Sequence, residues 1–465
     1  MIFSSIDFLY LYLPFSIVFY YGLGGYLGHR FTIIILSVVF YAIWSVPYLF
    51  LMLGLILLNY CVAVMIKKAN SCFLRKSIFS FGVISALSAL GYFKYSYFFV
   101  NDILKLDASF FENIILPLAI SFYTFQQIAF LTHVYDKTVQ QFDLLTYSAY
   151  ILFFPQLIAG PIVDYTDVEK DLRMPVRRDT DRFFSGMTLF AIGFFKKTIF
   201  ADYFAIDSDY FYSTGIEQGV GFTDAWYGSL SYTLQLYFDF SGYCDMAIGL
   251  GLMFGLTLPI NFNSPYKATS IQDFWRRWHI TLGRFLNRHI YRVFGGNRKG
   301  FGVELLAGFI TFVVGGVWHG AGFTFVLWGA LHGLYLLLNK LYKRFIDIPL
   351  GVFSILLTFL AVHLAWVPFR AESIDDALSV YRGMISPLSV VPHSLSTFHF
   401  LTIVSGLSVA FFLPNSLQII GYGTVDKPLL NTLRGRWVLI SGVLISVCVL
   451  KLLLVPHTAF IYYDF

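Results

Sequence analysis

The sequence predicts an all-α protein that crosses a membrane many times. Of its 465 residues, 57% are hydrophobic and only 13% are charged, whereas soluble domains carry about 25% charged residues. The mean hydropathy is +0.70. Apolar runs of about 20 residues, long enough to span a bilayer as helices, recur along the chain. A β-barrel would instead show short segments of alternating hydrophobicity.

Apolar segments are spread over the whole chain. They lie at 8–28, 31–46, 48–66, 77–99, 114–135, 142–162, 183–205, 224–258, 302–318, 320–341, 349–367, 398–420 and 437–456. Some segments of this kind re-enter the membrane without crossing it, so we expect about ten to twelve membrane helices. Re-entrant and amphipathic interfacial helices are expected beside them, within a single domain that covers residues 1–465.

The distribution of basic residues predicts the orientation, because cytoplasmic loops are enriched in Lys and Arg. The loop at residues 67–76 contains Lys67, Lys68, Arg75 and Lys76, and it is therefore predicted to be cytoplasmic. Counting three helices back puts the N-terminus outside, and counting one helix forward puts residues 101–112 outside. That second loop holds Asp102, Asp107 and Glu112 against a single Lys105, in agreement with the assignment.

Prolines and a glycine interrupt the apolar segment at 142–162. Pro155, Gly160 and Pro161 cannot all lie in a straight helix without lost backbone hydrogen bonds. Non-helical backbone at membrane depth is tolerated where it is buried in protein or lines a cavity. The sequence therefore predicts either a re-entrant element or a kinked spanning helix. The mixed-charge residues 164–182 that follow are expected to form a solvated cytoplasmic loop.

A second interruption, at residues 258–266, precedes a predicted amphipathic helix. Ser270 and Asp273 resemble a capping box at its start. Apolar residues at helical spacing would form one face and arginines the polar side, namely Phe274, Trp278, Leu282 and Phe285 against Arg276, Arg277, Arg284 and Arg288. Because a basic amphipathic helix with tryptophan typically lies along a membrane surface, we expect an interfacial cytoplasmic helix. Arg292, Arg298 and Lys299 extend the basic patch.

His319 is the first candidate for chemistry. It lies in an apolar, glycine-rich stretch, and histidine is the side chain whose unperturbed pKa lies near neutrality. One interpretation is a general base in a protein-lined cavity, and the other is a histidine that packs helices together. Gly316 and Gly320 beside it permit close approach of another helix or of a substrate chain.

Three further groups of polar residues lie in or near apolar segments. His279 either orients a substrate or lies at the headgroup level. Asp239 and Asp245 cost about 2.5–3.5 kcal/mol each at the membrane centre, so they need partners. They would line a reaction chamber or pair with the cluster around Arg276, and a structural role near the site is favoured. Lys196 and Lys197 are predicted to anchor a helix end at the interface, and structural roles are expected for His133, His289, His332 and His363.

Motifs of several enzyme classes are absent from the sequence. It has no Gly-x-Ser-x-Gly elbow, no P-loop and no His-Glu-x-x-His. The four cysteines, Cys61, Cys72, Cys244 and Cys448, form no Cys-x-x-Cys pair, so neither a disulfide framework nor a metal site is expected.

Taken together, several stretches of this chain resemble the membrane-bound O-acyltransferase (MBOAT) family, and within it the membrane subunits that O-acetylate alginate and peptidoglycan and their D-alanyl-transfer relatives. These stretches are residues 154–162, 237–243, 273–282 and 316–320, together with 3–5 and 456–463. The resemblance spans nearly the whole chain, and it is specific as a combination.

The resemblance implies that His319 is the essential catalytic histidine and His279 the second family histidine, in a catalytic region within 230–340. It further implies acetyl-CoA as a cytoplasmic donor, with no permanently bound cofactor, and a polysaccharide hydroxyl reached from outside through an extracytoplasmic serine esterase-like partner. The basic run 276–299 would dock the phosphates, and His279 or a nearby donor would stabilise the oxyanion. Expected substrate-binding residues are Trp275, Arg276, Arg277, Trp318, Asp239, Asp245 and Asn261.

The expected location is the bacterial cytoplasmic membrane, in contact with membrane lipid and without a nucleic-acid partner. Three other functions stay open from the sequence. A proton-coupled transporter would use an intramembrane histidine as a relay. An MBOAT could also acylate a lipid or a protein, including by D-alanyl transfer, and a non-catalytic scaffold would tolerate loss of His319.

Overall fold

The computed structural model describes residues 3–158, 160–176, 178–217, 219–346, 348–386, 397–422, 434–455 and 461. Within these residues the chain forms helices and no β-strand, as the sequence predicted. The α-helices are α1 Leu13–Leu27, α2 His29–Trp44, α3 Val46–Lys68, α4 Cys72–Tyr97, α5 Ser109–Glu112, α6 Ile120–Tyr135, α7 Leu144–Leu152, α8 Phe154–Leu157, α9 Tyr165–Arg173, α10 Thr180–Phe195, α11 Asp202–Tyr210, α12 Phe222–Met253, α13 Ile271–Trp275, α14 Ile280–Leu286, α15 Phe301–His319, α16 Phe323–Phe345, α17 Val352–Arg370, α18 Ile374–Ile385, α19 Thr397–Phe412, α20 Ser416–Ile420 and α21 Arg434–Leu454.

Shorter helical pieces join some of these helices. Those with π-helical geometry are Phe8–Tyr12, Phe98–Ile103, Lys196–Ala201, Phe211–Gly215 and Asn287–Tyr291. Those with 3₁₀ geometry are Pro265–Lys267 and Gly296–Arg298.

Six helices among the described residues are long and apolar enough to cross a membrane. They are Phe8–Leu27, Val46–Lys68, Cys72–Ile103, Phe301–His319, Val352–Arg370 and Trp437–Leu454. His29–Trp44 and Phe398–Phe412 are apolar but shorter. The protein is therefore a multi-pass membrane protein, and the count of about ten to twelve crossings stays a prediction.

The longest helix, α12, lies in the interior of the protein. All its residues from 231 to 253 are buried, and it packs closely on α10. A Cβ on Gly193 of α10 would lie 2.5 Å from the carbonyl oxygen of Gly242, and one on Gly249 would lie 2.5 Å from that of Gly186. These glycines let the two backbones touch, as small residues do at helix interfaces in membranes.

The interruption in segment 142–162 forms two short helices, α7 and α8, instead of one kinked helix. The nine residues of α7 extend about 14 Å, less than half of the roughly 30 Å hydrocarbon core. The break at Phe153 is buried, and Ser37 Oγ accepts a hydrogen bond from the Phe154 N–H at 3.1 Å. The non-helical backbone is thus buried in protein, and Ala159 lies outside the described residues. The loop predicted for 164–182 is in part helix α9, whose Val168 and Leu172 are buried.

The amphipathic helix predicted from Ser270 is instead broken into α13 and α14. Ser270 Oγ accepts from the Asp273 N–H at 3.1 Å as predicted, but the Asp273 carboxylate bonds the N–H of Thr269, so the reciprocal half of the capping box is absent. The apolar side chains are buried against protein, so the predicted position at a membrane surface is wrong. Trp278, for example, packs 5.0 Å from Trp366 of α17 between ring centroids. Periodicity alone cannot tell a face that meets lipid from one that meets another helix.

Candidate active site

The two candidate histidines, forty residues apart in sequence, meet in the interior. His319 is the last residue of α15 and His279 directly precedes α14. Their ring centroids lie 6.4 Å apart, and both side chains are buried. Aromatic rings surround His319, with centroids 4.9 Å away for Trp328 and 5.2 Å for Phe369. The pairing predicted for the histidines is present.

The glycines beside His319 serve helix packing. A Cβ on Gly316 would collide with the Phe325 carbonyl oxygen of α16, and one on Gly320 with the Phe325 ring. Of the two uses that the sequence left open, room for a helix is therefore the one observed. Close contact between α15 and α16 fixes the end of α15 and, with it, the position of His319.

His279 is held in an unusual backbone conformation. Its φ is 44° and its ψ is 51°, in the left-handed region that non-glycine residues enter rarely. The side chain is 0% exposed, so the interpretation as a headgroup-level histidine is wrong. This conformation turns the chain at the junction between α13 and α14. As a result the imidazole packs edge-on against Phe240 of α12, with the ring centroids 4.8 Å apart.

Asn261 determines which nitrogen of His279 carries the hydrogen. Asn261 Oδ1 accepts from the Thr281 N–H at 3.2 Å and from Thr281 Oγ1 at 2.9 Å. A backbone N–H only donates, so the atom facing it is the amide oxygen. His279 Nδ1 lies 3.2 Å from the same oxygen and must therefore donate to it. Nε2 then carries the lone pair, and it has no hydrogen-bond partner within the described part of the chain.

The network around Asn261 extends to the broken segment near α8. Thr281 Oγ1 accepts a hydrogen bond from the Ile162 N–H at 2.9 Å. Burial lowers the pKa of His279 to about 3, so the ring is neutral at pH 7. A neutral ring with its hydrogen on Nδ1 can accept but not donate at Nε2. This geometry favours an acceptor role for His279 over the predicted oxyanion donor.

A cavity of 530 Å³ connects His319 to the surface. It follows one face of α15, where Glu304, Gly308, Thr311, Gly315 and His319 line it. This stretch of sixteen residues rises about 22 Å along the helix. At the exposed end the lining is polar and includes Gln272, Arg276, Arg284, Asn287, Asn297 and Lys340. The cavity is thus long and narrow, with charge at its mouth and an imidazole at its inner end.

Only some of the predicted binding residues line this cavity. Trp275 and Arg276 line it, and Arg276 forms no ion pair within the described residues. Arg277 pairs with Asp273 at 2.9 Å, and Trp318 stacks on Phe125 at 5.0 Å. Neither of these two is part of the lining that the structure describes, and Asn261 acts through His279 as described above.

Asp239 and Asp245 lie on α12, away from the cavity, in what we call the lysine–aspartate cluster, formed by Lys196, Lys197, Asp202, Asp239 and Asp245. Asp239 pairs with Lys197 at 2.8 Å and Asp245 with Lys196 at 2.8 Å. Lys197 also pairs with Asp202 at 2.9 Å. Both aspartates have partners, as buried carboxylates need, but the partners are these lysines and not the Arg276 cluster. Lys197, at 1% exposure, is no interfacial anchor, because it is buried between Asp202 of α11 and Asp239 of α12.

Two further residues lie near His319, of which Lys94 was not predicted from the sequence and His332 was expected to be structural. Lys94 of α4 donates to the backbone oxygens of Trp318 at 2.5 Å and His319 at 3.1 Å, and so caps the C-terminal end of α15. His332 of α16 accepts from Trp275 Nε1 at 3.3 Å and packs 4.9 Å from Trp328. The only available signal for Lys94 was a lone lysine in the apolar segment 77–99.

Comparison with known proteins gives a family for this arrangement. Residues 72–366, which contain both histidines and the cavity, match the model of the MBOAT, membrane-bound O-acyltransferase, family. A peptidoglycan O-acetyltransferase of Helicobacter pylori is 40% identical over 427 residues, 83% of this chain and 80% of that protein. A probable alginate O-acetylase of Pseudomonas aeruginosa is 40% identical over 395 residues, 83% of this chain and 75% of that protein. A teichoic acid D-alanyltransferase of Bacillus subtilis is 28% identical over 246 residues, 50% of this chain and 61% of that protein.

Proposed function

The chain belongs to the membrane-bound O-acyltransferase family, and on this premise we propose that it moves an acetyl group from cytoplasmic acetyl-CoA to a hydroxyl, for the O-acetylation of a cell-envelope polysaccharide. The observation that carries the proposal is the cavity along α15, which runs from a charged mouth to His319. Relatives that act on peptidoglycan and alginate support the acetyl group and the class of acceptor.

The shape and charge of the cavity suit an acyl-CoA thioester. Basic residues at the mouth, among them Arg276 and Lys340, would bind the phosphates of the coenzyme. The long, thin pantetheine arm would lie along the small residues Gly308, Thr311 and Gly315. Its thioester would then reach the imidazole at the inner end.

The orientation of α15 separates donor from acceptor. The basic residues 292–299 that precede this helix are predicted to be cytoplasmic, so its other end, with His319, lies toward the outer side. A donor entering by the mouth and an acceptor arriving from outside would meet there. We propose that the acceptor is a sugar hydroxyl or the serine hydroxyl of an extracytoplasmic esterase-like partner.

The chemistry is acyl transfer from sulfur to oxygen. The hydroxyl oxygen attacks the thioester carbonyl carbon while an imidazole takes the hydroxyl proton. Collapse of the tetrahedral intermediate breaks the C–S bond, and the proton passes to the departing thiolate. We assign the base to His319, which takes the single proton of the attacking hydroxyl. His279 Nε2 would accept a hydrogen bond from another N–H or O–H group of a substrate and so orient it. A proton-coupled transporter needs no thioester donor and is not supported by the family.

Ester-bound acetate on purified envelope polysaccharides tests the proposal. Mild base would release the acetate from polysaccharides purified from a deletion strain. That strain would carry the gene for the wild-type protein, for His319→Ala or for His363→Gln. His363 is an equally buried histidine outside the cavity lining, so its variant should retain acetate. We expect His319→Ala to reach the membrane at normal levels and to leave one polymer without acetate. Normal acetate with His319→Ala would refute the proposal.

A bulky residue in the cavity tests the donor path. Thr311→Trp should prevent transfer of label from acetyl-CoA in inverted membrane vesicles, because its ring would fill the path of the pantetheine arm. Val314→Trp is the control, since Val314 is 37% exposed on another face of the same helix. Equal activity of the two variants would exclude this cavity as the donor path.

A further inference from the structure

A second cavity, of 430 Å³, lies where α3 ends and α4 begins. We call it the α3–α4 cavity, and its lining includes Lys67, Asn70, Ser71, Arg75, Lys137 and Gln140. It uses residues of the loop at 67–76 and of the turn after α6. None of these residues belongs to the proposed acyl-transfer machinery.

The charge of this cavity is unbalanced. Among the residues that the structure describes, three cations line it and no acidic residue does. Lys67, Arg75 and Lys137 form no ion pair within the described residues. Some other basic residues expected on the cytoplasmic side are paired, as Arg182 is with Asp171 and Arg284 with Asp167. Three unpaired cations around one polar cavity call for an anion from outside the chain.

Two of the three cations at the cavity each contact an aromatic ring. Lys67 Nζ lies 5.5 Å from the centroid of the Phe142 ring, and Arg75 Cζ lies 4.9 Å from that of Tyr135. Such cation–π contacts order a side chain and leave its N–H groups able to donate. Lys137 has a φ of 61°, a left-handed conformation that is uncommon for a residue with a Cβ.

The position of the cavity points to a lipid. It lies at adjoining ends of two helices long and apolar enough to span the membrane, at the level expected for headgroups. Apolar side chains beside it face outward, with exposures of 53% for Met65, 82% for Phe73 and 49% for Leu74. They could cover acyl chains whose phosphate occupies the cavity.

We propose that the α3–α4 cavity binds the phosphate group of an anionic membrane lipid. The lysine ammonium groups and the Arg75 guanidinium donate to the phosphate oxygens, and Asn70, Ser71 and Gln140 add polar contacts. Basic pockets at the cytoplasmic ends of membrane helices suit such headgroups. This site is independent of the acyl transfer proposed above.

Native mass spectrometry of the purified full chain, titrated with phosphatidylglycerol or phosphatidylcholine, tests the proposal. The test variant is Lys67→Gln/Arg75→Gln/Lys137→Asn, in which asparagine suits the left-handed position. The control, Lys68→Gln/Lys76→Gln/Lys170→Gln, loses the same charge from exposed residues outside the cavity. We expect the test variant to bind phosphatidylglycerol about 100-fold more weakly, from about 1 kcal/mol for each cation near the membrane surface. The wild type and the control should keep their preference for it.

Further experiments identify the source of the phosphate and control for misfolding of the variant. Inorganic phosphate or glycerol phosphate that displaces the lipid at equal concentration would overturn the lipid assignment, and equal loss of binding in the control would overturn the site. If the triple variant does not fold, Lys67→Gln alone should still weaken binding, and unchanged binding would overturn the proposal. His319→Ala should bind the lipid normally, so a failure of the proposed acyl transfer would not be mistaken for a failure here.

Discussion

The lysine–aspartate cluster and the histidine site both place polar side chains in the interior, but they are built differently. In the cluster, each aspartate faces a lysine within 3 Å. Lys451, which also pairs with Asp202 at 2.9 Å, supplies a third cation, so the charges balance locally. In the site formed by His279, His319 and Asn261, the hydrogen bonds to Asn261 fix the tautomer of His279. Nε2 of His279 is left with its lone pair and no partner among the described residues. The contrast separates polar groups that hold the fold from groups available to a substrate.

If the cluster is purely structural, its loss should lower stability and not the rate of transfer. Lys197→Met removes the partner of two buried carboxylates, and breaking such a pair by removing one member costs about 3–5 kcal/mol. Thermal unfolding in detergent would measure the loss, and activity would be normalised to folded protein. Transfer that disappears while stability is retained would assign the cluster to the chemistry.

The opposite pattern is expected at the histidine site. His279→Asn keeps a residue that tolerates the left-handed conformation, so thermal stability should change little. Loss of the acceptor at Nε2 should lower kcat for acetyl transfer by about 100-fold, a loss that a misplaced substrate can cause. A variant with near-normal kcat would show that His279 only packs against Phe240.

The pH dependence of stability should also distinguish the two regions. The pKa of His279 is lowered by burial to about 3, against about 6.5 in the unfolded chain. Between these values the unfolded state binds more protons, so stability is fully present above pH 6.5 and falls as the pH drops. The loss attributable to His279 at pH 5 is about 2 kcal/mol. His279→Asn should unfold with a correspondingly shallower pH dependence, and an unchanged slope would contradict the burial of a neutral ring.

The smallest effect is expected from the residue that acts through His279. Asn261→Ala removes the oxygen that fixes the tautomer, and we expect kcat to fall about tenfold, as for loss of a supporting partner, with the KM for acetyl-CoA unchanged. Asn261→Asp keeps an acceptor oxygen and should restore part of kcat. If both variants lose stability and activity in proportion, Asn261 is only structural.

The sequence predicted the helical membrane fold, because hydropathy is a local property of the chain, and family motifs singled out His279 and His319. Periodicity put Phe274 and Trp278 on one apolar face, but at a membrane surface and not against other helices. The sequence did not predict the break at His279, since no glycine or proline marks a left-handed residue there. Burial of Lys197 depends on which helices close over it, and hydropathy does not contain that information.

Lys94 has a consequence for the order in which the protein is made. It caps the end of α15 across 225 residues, and Ile162 supports Asn261 through Thr281 across 119 residues. The catalytic region 230–340 therefore depends on parts synthesised well before it. During translation α4 is synthesised before α15. Until α15 is made, Lys94 lacks the backbone oxygens of Trp318 and His319 that it contacts in the folded protein. A chain that ends between α4 and α15 would hold Lys94 in an apolar segment without these acceptors, which is costly in a membrane.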